Sequence, residues 1–283
     1  MSSKNPLVSV IIPNYNSEHY LVECLESVIH QDYRSIEIIV IDDGSTDNSL
    51  KVLEEYSQKI KVLITAHRGA SAARNEGLRQ ARGDFIALLD SDDVWEKSKI
   101  SKQMKLAVNH NLDLVYCSSR EFYENGKLGR TFIAEYSGDC YDYYKRFPTR
   151  AVIVQGCSGA IFKKSKLQHS GVFDETFSGA AEDWDFFRRL SRVSKVGFCG
   201  EVLVHYRKHS ASIMSRPLSD FFLGNKRAIS KMFIEDCTIG LKNRISTWVK
   251  FYFLLFKASF VVLFQSRTLI TLWSLNWRKS KPH

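Results

Sequence analysis

The sequence predicts an α/β protein: a mostly parallel central sheet flanked by helices, with a C-terminal helical appendage. Three observations support this. Unbroken apolar runs, as strands buried on both faces have, recur along the chain. Helix-like segments separate them, and that alternation belongs to parallel sheets joined by helical crossovers. Composition then turns basic and aromatic towards the C-terminus, which divides the chain into a sheet domain at 1–216 and a tail at 217–283.

Val8 to Ile12 is the first strand, stopped by Pro13. Asn14 to Ser17 is a loop, with Ser17 as the cap of a helix that places Leu21, Leu25, Val28 and Ile29 on one face. Ile36 to Ile41 is the second strand. It ends in Asp42-Asp43-Gly44-Ser45-Thr46-Asp47, a turn handing over to a helix near Asn48. Lys61 to Thr65 is a short third strand, and Gly69 opens a helix that ends near Arg82-Gly83. Phe85 to Leu89 is the fourth strand. A helix from about Lys97 to Asn109 leads to a strand at Leu112 to Ser118, and Glu121 to Ile133 forms a hairpin around Asn125-Gly126. Tyr136 to Val154 is aromatic-rich without a clear period. Gly156 to Phe162 reads as loop then strand, and Glu182 to Arg192 as a helix with Phe186, Phe187 and Leu190 on its apolar face. Two short strands follow, at Val196 to Phe198 and Glu201 to Tyr206.

The composition fits one large domain, or one plus an appendage: 283 residues, 44% hydrophobic and 12% aromatic. The net charge of +9 is concentrated at one end. Eight of the 40 Lys and Arg lie between Cys237 and His283, where no Asp or Glu occurs. The first 236 residues therefore hold 32 basic and 31 acidic side chains. A nucleic-acid-binding domain would carry a basic face there, so that class is excluded. The six cysteines lack metal-type spacing and read as buried, reduced thiols of a cytosolic protein. Met1 to Pro6 is polar and leads straight into a strand, with no secretory pattern.

The chemistry centres on Asp90-Ser91-Asp92-Asp93, directly after the fourth strand. Acids at the carboxyl end of a parallel strand stand where open α/β sheets bind ligands. Crowded carboxylates repel one another, and a hard divalent cation relieves that. Mg²⁺ takes one or two carboxylates plus substrate phosphates, and Asp90 and Asp92 can supply them. The alternative is that Asp92 or Asp93 caps the next helix.

Four stretches together resemble the family 2 inverting glycosyltransferases of the GT-A fold, whose sugar donors are nucleoside diphosphates. They are Val8-Ser9-Val10-Ile11-Ile12-Pro13-Asn14-Tyr15-Asn16, Asp42-Asp43-Gly44-Ser45-Thr46-Asp47, Asp90-Ser91-Asp92-Asp93 and Glu182-Asp183-Trp184-Asp185. The match spans roughly residues 7 to 215. The resemblance implies donor contacts at Pro13, Tyr15, Asp43, Arg74, Asp90, Ser91 and Arg207. Tyr15 offers a face for a base to stack on. Asp43 corresponds to the acid that accepts the uracil imide N–H, which implies a UDP-sugar; turn formation is the other reading for Asp42 and Asp43. Arg74 meets the diphosphate or forms a surface salt bridge. Asp92 is implied as direct ligand of Mn²⁺ or Mg²⁺, with His209 as a second ligand or a structural residue.

Asp183 resembles the catalytic base, with Glu182 orienting the acceptor or supporting it. The alternative for both acids is helix initiation. The implied reaction is a direct displacement: a hexosyl or N-acetylhexosaminyl unit moves to a hydroxyl of a glycan or lipid-linked acceptor, through an oxocarbenium-like transition state. The Gln-x-x-Arg-Trp pattern of processive members is missing, since Phe186-Phe187-Arg188-Arg189 follows Asp185. That favours transfer of single sugars. The setting implied is bacterial surface polysaccharide or lipopolysaccharide synthesis. Competing functions are transfer to polyprenyl phosphate, nucleotidyl transfer, and a non-catalytic sugar-nucleotide-binding scaffold.

The tail lies outside the resemblance. Trp248 to Phe264 is apolar but broken by Lys250 and Lys257, short of the ~20 residues of a spanning helix. Trp248, Tyr252, Trp273 and Trp277 alternate with Lys and Arg, which fits a helix at an anionic membrane surface. That places the protein at the inner face of the cell membrane. The other reading is a hairpin packed on the catalytic domain or on a second subunit of a homo-oligomer.

Overall fold

The structure is a computed structural model that describes residues 5–136, 139–146, 156–177, 180–209 and 218–264. In chain order it contains β1 (Val8–Asn14), α1 (Glu18–Ile29), β2 (Ile36–Asp42), α2 (Ser49–Glu55), β3 (Lys61–Ile64), α3 (Ala70–Gln80), β4 (Phe85–Leu88), β5 (Val94–Trp95) and α4 (Lys99–Asn109). There follow β6 (Leu114–Tyr123), β7 (Leu128–Phe132), α5 (Cys140–Arg146), β8 (Ile161–Lys163), α6 (Leu167–Ser170), α7 (Glu182–Arg192), β9 (Val196–Lys208), α8 (Leu218–Glu235) and α9 (Leu241–Phe264). One sheet runs β3-β2-β1-β4-β8-β6-β9-β5, with β7 on β6. Its first four strands are parallel, and so are β6 and β9.

Alternation along the strands builds two cores. Ile11, Ile39, Ile41, Ile86 and Leu88 face one side of the sheet, with Phe162, Phe186 and Leu190. Val8, Val10, Ile12, Val40 and Ala87 face the other, with Leu21, Leu25 and Met104. A strand that covers both faces has no polar position to spare, which explains the unbroken apolar runs. The parallel strands all end at one edge, where Asn14, Asp42 and the Asp90 loop stand together.

Several sequence expectations need correction. β1 continues through Pro13, which pairs with Ile41 in register. The pairing of β1 with β4 ends at Ile11 and Leu88. Pro13 therefore lies past that partner, where its missing N–H costs no ladder bond. The two strands expected after residue 195 are one, β9. Gly200-Glu201 is extra chain between the Cys117–Cys199 and Ser118–Val202 pairs, a bulge rather than an end. Ser17 stands at the start of α1 without bonding its N–H groups; Asp47 Oδ2 accepts from Glu18 N instead. Five cysteines are buried and reduced, but Cys237 is exposed.

The two helices of the tail pack on the sheet domain. Ala228, Ile229, Met232, Phe233 and Phe251 join the core that holds Phe186 and Leu190. Gly224 of α8 lies against Ala180, where an added Cβ would stand 2.4 Å from the Ala180 carbonyl oxygen. Lys231 of α8 donates to Asp185 Oδ2 of α7 at 3.0 Å. No helix among the described residues is long and apolar enough to cross a membrane.

Candidate active site

At the carboxyl edge of β1 and β2, two adjacent acids do different work. Asp42 shapes the turn: it accepts from Asn14 Nδ2 (2.7 Å), Ser45 N (2.9 Å) and Ser45 Oγ (2.7 Å). Asp43 reaches across to the loop before α3. Its carboxylate accepts from Gly69 N at 2.7 Å, Arg68 N at 3.0 Å and Thr65 Oγ1 at 3.0 Å. Tyr15 is 43% exposed at this edge. Its ring stacks on His67, with centroids 3.9 Å apart and planes at 25°. His67 escaped the sequence reading because a lone His in a connecting loop has no period to mark it. Pro13 is buried in β1 beneath this edge.

The acidic loop after β4 is tied down at three points. Asp93 is fully buried and accepts from Ser158 Oγ at 2.6 Å and from Arg207 N at 3.1 Å. Burial, then the charges of Asp92 and Asp90, push its carboxyl well above the usual range. Ser158 Oγ also accepts from Asp90 N at 3.1 Å. Ser91 donates to Ser17 Oγ at 2.9 Å, joining the loop to the start of α1. Asp90 receives Arg74 Nη2 at 2.7 Å. Arg74 is not a surface residue: it is buried, and its other nitrogen, Nη1, lies 3.5 Å from Glu182 Oε1. Burial raises the Asp90 pKa, and Arg74 pulls it back.

Opposite this loop stands α7, begun by Ala181 in the left-handed region (φ 67°). Glu182 is buried against Arg74, while Asp183 is half-buried. Gly156 lies close to the carboxylates of both Asp183 and Asp90. It has φ +69°, and a Cβ there would stand 3.6 Å from Asp183 Oδ2 and 3.9 Å from Asp90 Oδ2. Both carboxylates thus face one small space, kept open by a residue without a side chain. Desolvation and the charge of Glu182 push the Asp183 pKa up to about 7, against the pull of Trp184 N and Arg74. A carboxylate of that basicity suits proton abstraction near neutral pH. Asp185, by contrast, is wholly structural: buried, it binds Arg188, Arg189 and Lys231.

His209 Nε2 lies 2.9 Å from Asp92 Oδ2 at the end of β9. An octahedral ion bonding both groups at right angles would hold them about 3.0 Å apart, so the pair fits two adjacent ligands of Mg²⁺ or Mn²⁺. Among the described residues no group of three or more His, Cys, Asp or Glu gathers for a metal. Two protein ligands suit an ion that completes its shell with waters and phosphates. Arg207 is buried between the rings of Phe122 and Tyr20, 4.3 and 5.0 Å from their centroids. Its guanidinium pairs with Glu23 and donates to the Asp92 carbonyl at 2.8 Å.

Residues 9–171 match the profile described as Glycosyl transferase family 2, more than half of the chain. The protein belongs to this family. Among relatives, UDP-Glc:α-D-GlcNAc-diphosphoundecaprenol β-1,3-glucosyltransferase WfgD of Escherichia coli is 40% identical over 130 residues, covering 45% of this chain and 51% of that enzyme. The fold of this glycosyltransferase is GT-A. It aligns with S. aureus TarS 1–349 in complex with UDP-GlcNAc at a TM-score of 0.66 and 23% identity, over 80% of this chain and 66% of that one. The mannosyltransferase PcManGT of Pyrobaculum calidifontis, in complex with GDP-Man and Mn²⁺, aligns at 0.58 and 18% identity, over 97% and 80%. The match to WfgD covers about half the length of that enzyme.

Proposed function

We propose that this glycosyltransferase moves one hexosyl or N-acetylhexosaminyl unit from a UDP-sugar to a hydroxyl of a lipid-linked glycan, with inversion, in building a bacterial surface polysaccharide. The observation that carries this reading is the space over Gly156, faced at once by Asp90 from the donor loop and Asp183 from α7. An anomeric carbon held there would lie between the nucleotide site and the base. The acceptor class is suggested by WfgD, whose name gives a diphosphoundecaprenol acceptor. UDP is suggested by the TarS complex and by Asp43 beside the exposed Tyr15 ring.

In this reading Tyr15 and Asp43 take the base, and Asp90 and Ser91 the sugar-nucleotide. Asp183 removes the proton from the acceptor hydroxyl as its oxygen attacks the anomeric carbon. The C–O bond forms as the bond to the diphosphate breaks on the opposite face, so no enzyme-bound sugar is needed. Glu182, fixed by Arg74, steadies the acceptor side. Asp92 and His209 would hold the divalent ion, which supplies charge neutralisation at the departing diphosphate. Arg207 braces the Asp92 main chain and pairs with Glu23, which holds its charge beside the loop that would meet the phosphates. The enzyme acts at the inner membrane face, with residues 1–216 catalytic and 217–283 as the membrane-facing or oligomer-forming tail.

The test is product analysis with a panel of nucleotide sugars, Mn²⁺ and diphosphoundecaprenol-linked acceptors. Release of UDP with a β-linked product from an α-linked donor supports the reading. Pyrophosphate release would make the protein a nucleotidyltransferase. Transfer to polyprenyl phosphate alone would replace the acceptor, and donor binding without turnover would leave a scaffold.

A further inference from the structure

Over its described side chains, residues 241–253, helix α9 has one apolar row that is buried and a second that is exposed. Thr247 and Phe251 are buried, Phe251 against Phe222 of α8, and Trp248 packs beside it against Phe233 of the same helix. Leu241, Ile245, Val249 and Tyr252 form a second row, at i, i+4, i+8 and i+11, which a helix brings onto one narrow stripe. All four are exposed, Leu241 by 72% and Val249 by 63%. Lys242 borders the stripe, Lys250 lies about 100° further round the helix from Val249, and both are exposed. Exposed apolar rows with a charged border mark interaction surfaces.

We propose that this stripe is the face on which the enzyme lies on an anionic lipid bilayer, with the helix in the plane of the headgroups. Charge complementarity selects that partner. From Cys237 to His283 the sequence has eight basic residues and no acid, so the tail would repel a basic surface and is drawn to an acidic one. The stripe has the build of an interfacial helix: aliphatic residues flanked by Lys, with a Tyr whose hydroxyl can stay at the headgroup level. The packing reading and the membrane reading of the tail are therefore compatible, each using its own face. This deepens the membrane-surface reading above, and rests on it. It also gives the base helix a fixed relation to the bilayer, because α8 is bonded to α7 through Lys231 and Asp185.

The test is co-sedimentation of the full chain with vesicles of phosphatidylcholine alone or mixed with phosphatidylglycerol. It needs neither donor nor acceptor, so its failure is separate from a failure of the transfer assay. The expected result is a roughly tenfold preference for the anionic vesicles, weakened by added salt. The double variant Ile245→Ser/Val249→Ser should lose binding while keeping the wild-type unfolding midpoint. Lys242→Glu/Lys250→Glu, which leaves the apolar row intact, should lose the preference for anionic lipid. No binding by the folded wild type overturns the proposal, as does binding that both double variants retain. A wild-type dimer that the Ser variant converts to a monomer, with no vesicle binding by either, assigns the stripe to a second copy and also overturns it.

Discussion

Arg74 Nη2 donates to Asp90 Oδ1 at 2.7 Å inside the protein. Since Arg74 Nη1 also lies 3.5 Å from Glu182, one cation serves the loop after β4 and the start of α7 together. Burying an arginine costs heavily unless it is paired, and removing one member of such a set leaves the others charged and desolvated. Arg74→Met should therefore lower stability by about 3–5 kcal/mol in urea unfolding. Arg74→Lys should recover part of it, because an ammonium restores charge but cannot fork to both acids. Since Arg74 holds the Asp183 pKa down, Arg74→Met should also move the pH–rate profile to higher pH.

The Asp92–His209 pair predicts a metal effect that is separate from folding. His209→Ala should weaken Mn²⁺-supported UDP binding by at least roughly tenfold. UDP-dependent thermal shifts across a Mn²⁺ titration measure it. An unchanged Mn²⁺ midpoint would remove His209 from the ligand set.

Ser158 links the turn before β8 to the acidic loop after β4 through Asp93 and the Asp90 N–H. Ser158→Ala leaves the buried Asp93 Oδ2 without its hydroxyl donor. A cost of about 1–3 kcal/mol is expected, read by urea unfolding. Because the same bond anchors the loop carrying Asp92, UDP affinity should fall as well.

These networks explain what could be read from the sequence. Strands β1, β2 and β4 were legible because most of their residues are buried on both faces, so each is an apolar run punctuated by its own turn residues, whereas β3 is a half-exposed strand at the end of the sheet. Asp90, Asp92 and Asp183 were legible as acids at strand ends and a helix start. Their partners were not: Ser158 lies 65 residues from Asp93, and Glu182 lies 108 from Arg74. No local pattern encodes such pairs. Gly200-Glu201 looked like the end of a strand because a bulge and a turn use the same residues. In α9, sequence showed apolar and basic character, but which apolar row is buried depends on Phe233 and Phe222 across the tertiary fold.

Asp183 also makes a stability prediction. Its pKa rises from the ordinary 3.8 to about 7 on folding. Between those values the folded protein binds more protons than the unfolded chain, so stability falls as pH rises through that window. Below 3.8 both states are protonated and this contribution to stability no longer changes with pH. Asp183→Asn cannot titrate, so its stability curve should be flatter than wild type between those two values and higher near pH 8. Thermal unfolding across a pH series gives the comparison.

The most direct test of the account is single-turnover sugar transfer by Asp183→Asn, measured beside its donor affinity. The account predicts UDP-sugar binding close to wild type and transfer slowed by about 100-fold or more, the share expected of a general base. Wild-type transfer should rise with pH through about 7, and the variant should lose that rise. Wild-type turnover by Asp183→Asn, with the pH dependence intact, would contradict the account and place the base elsewhere.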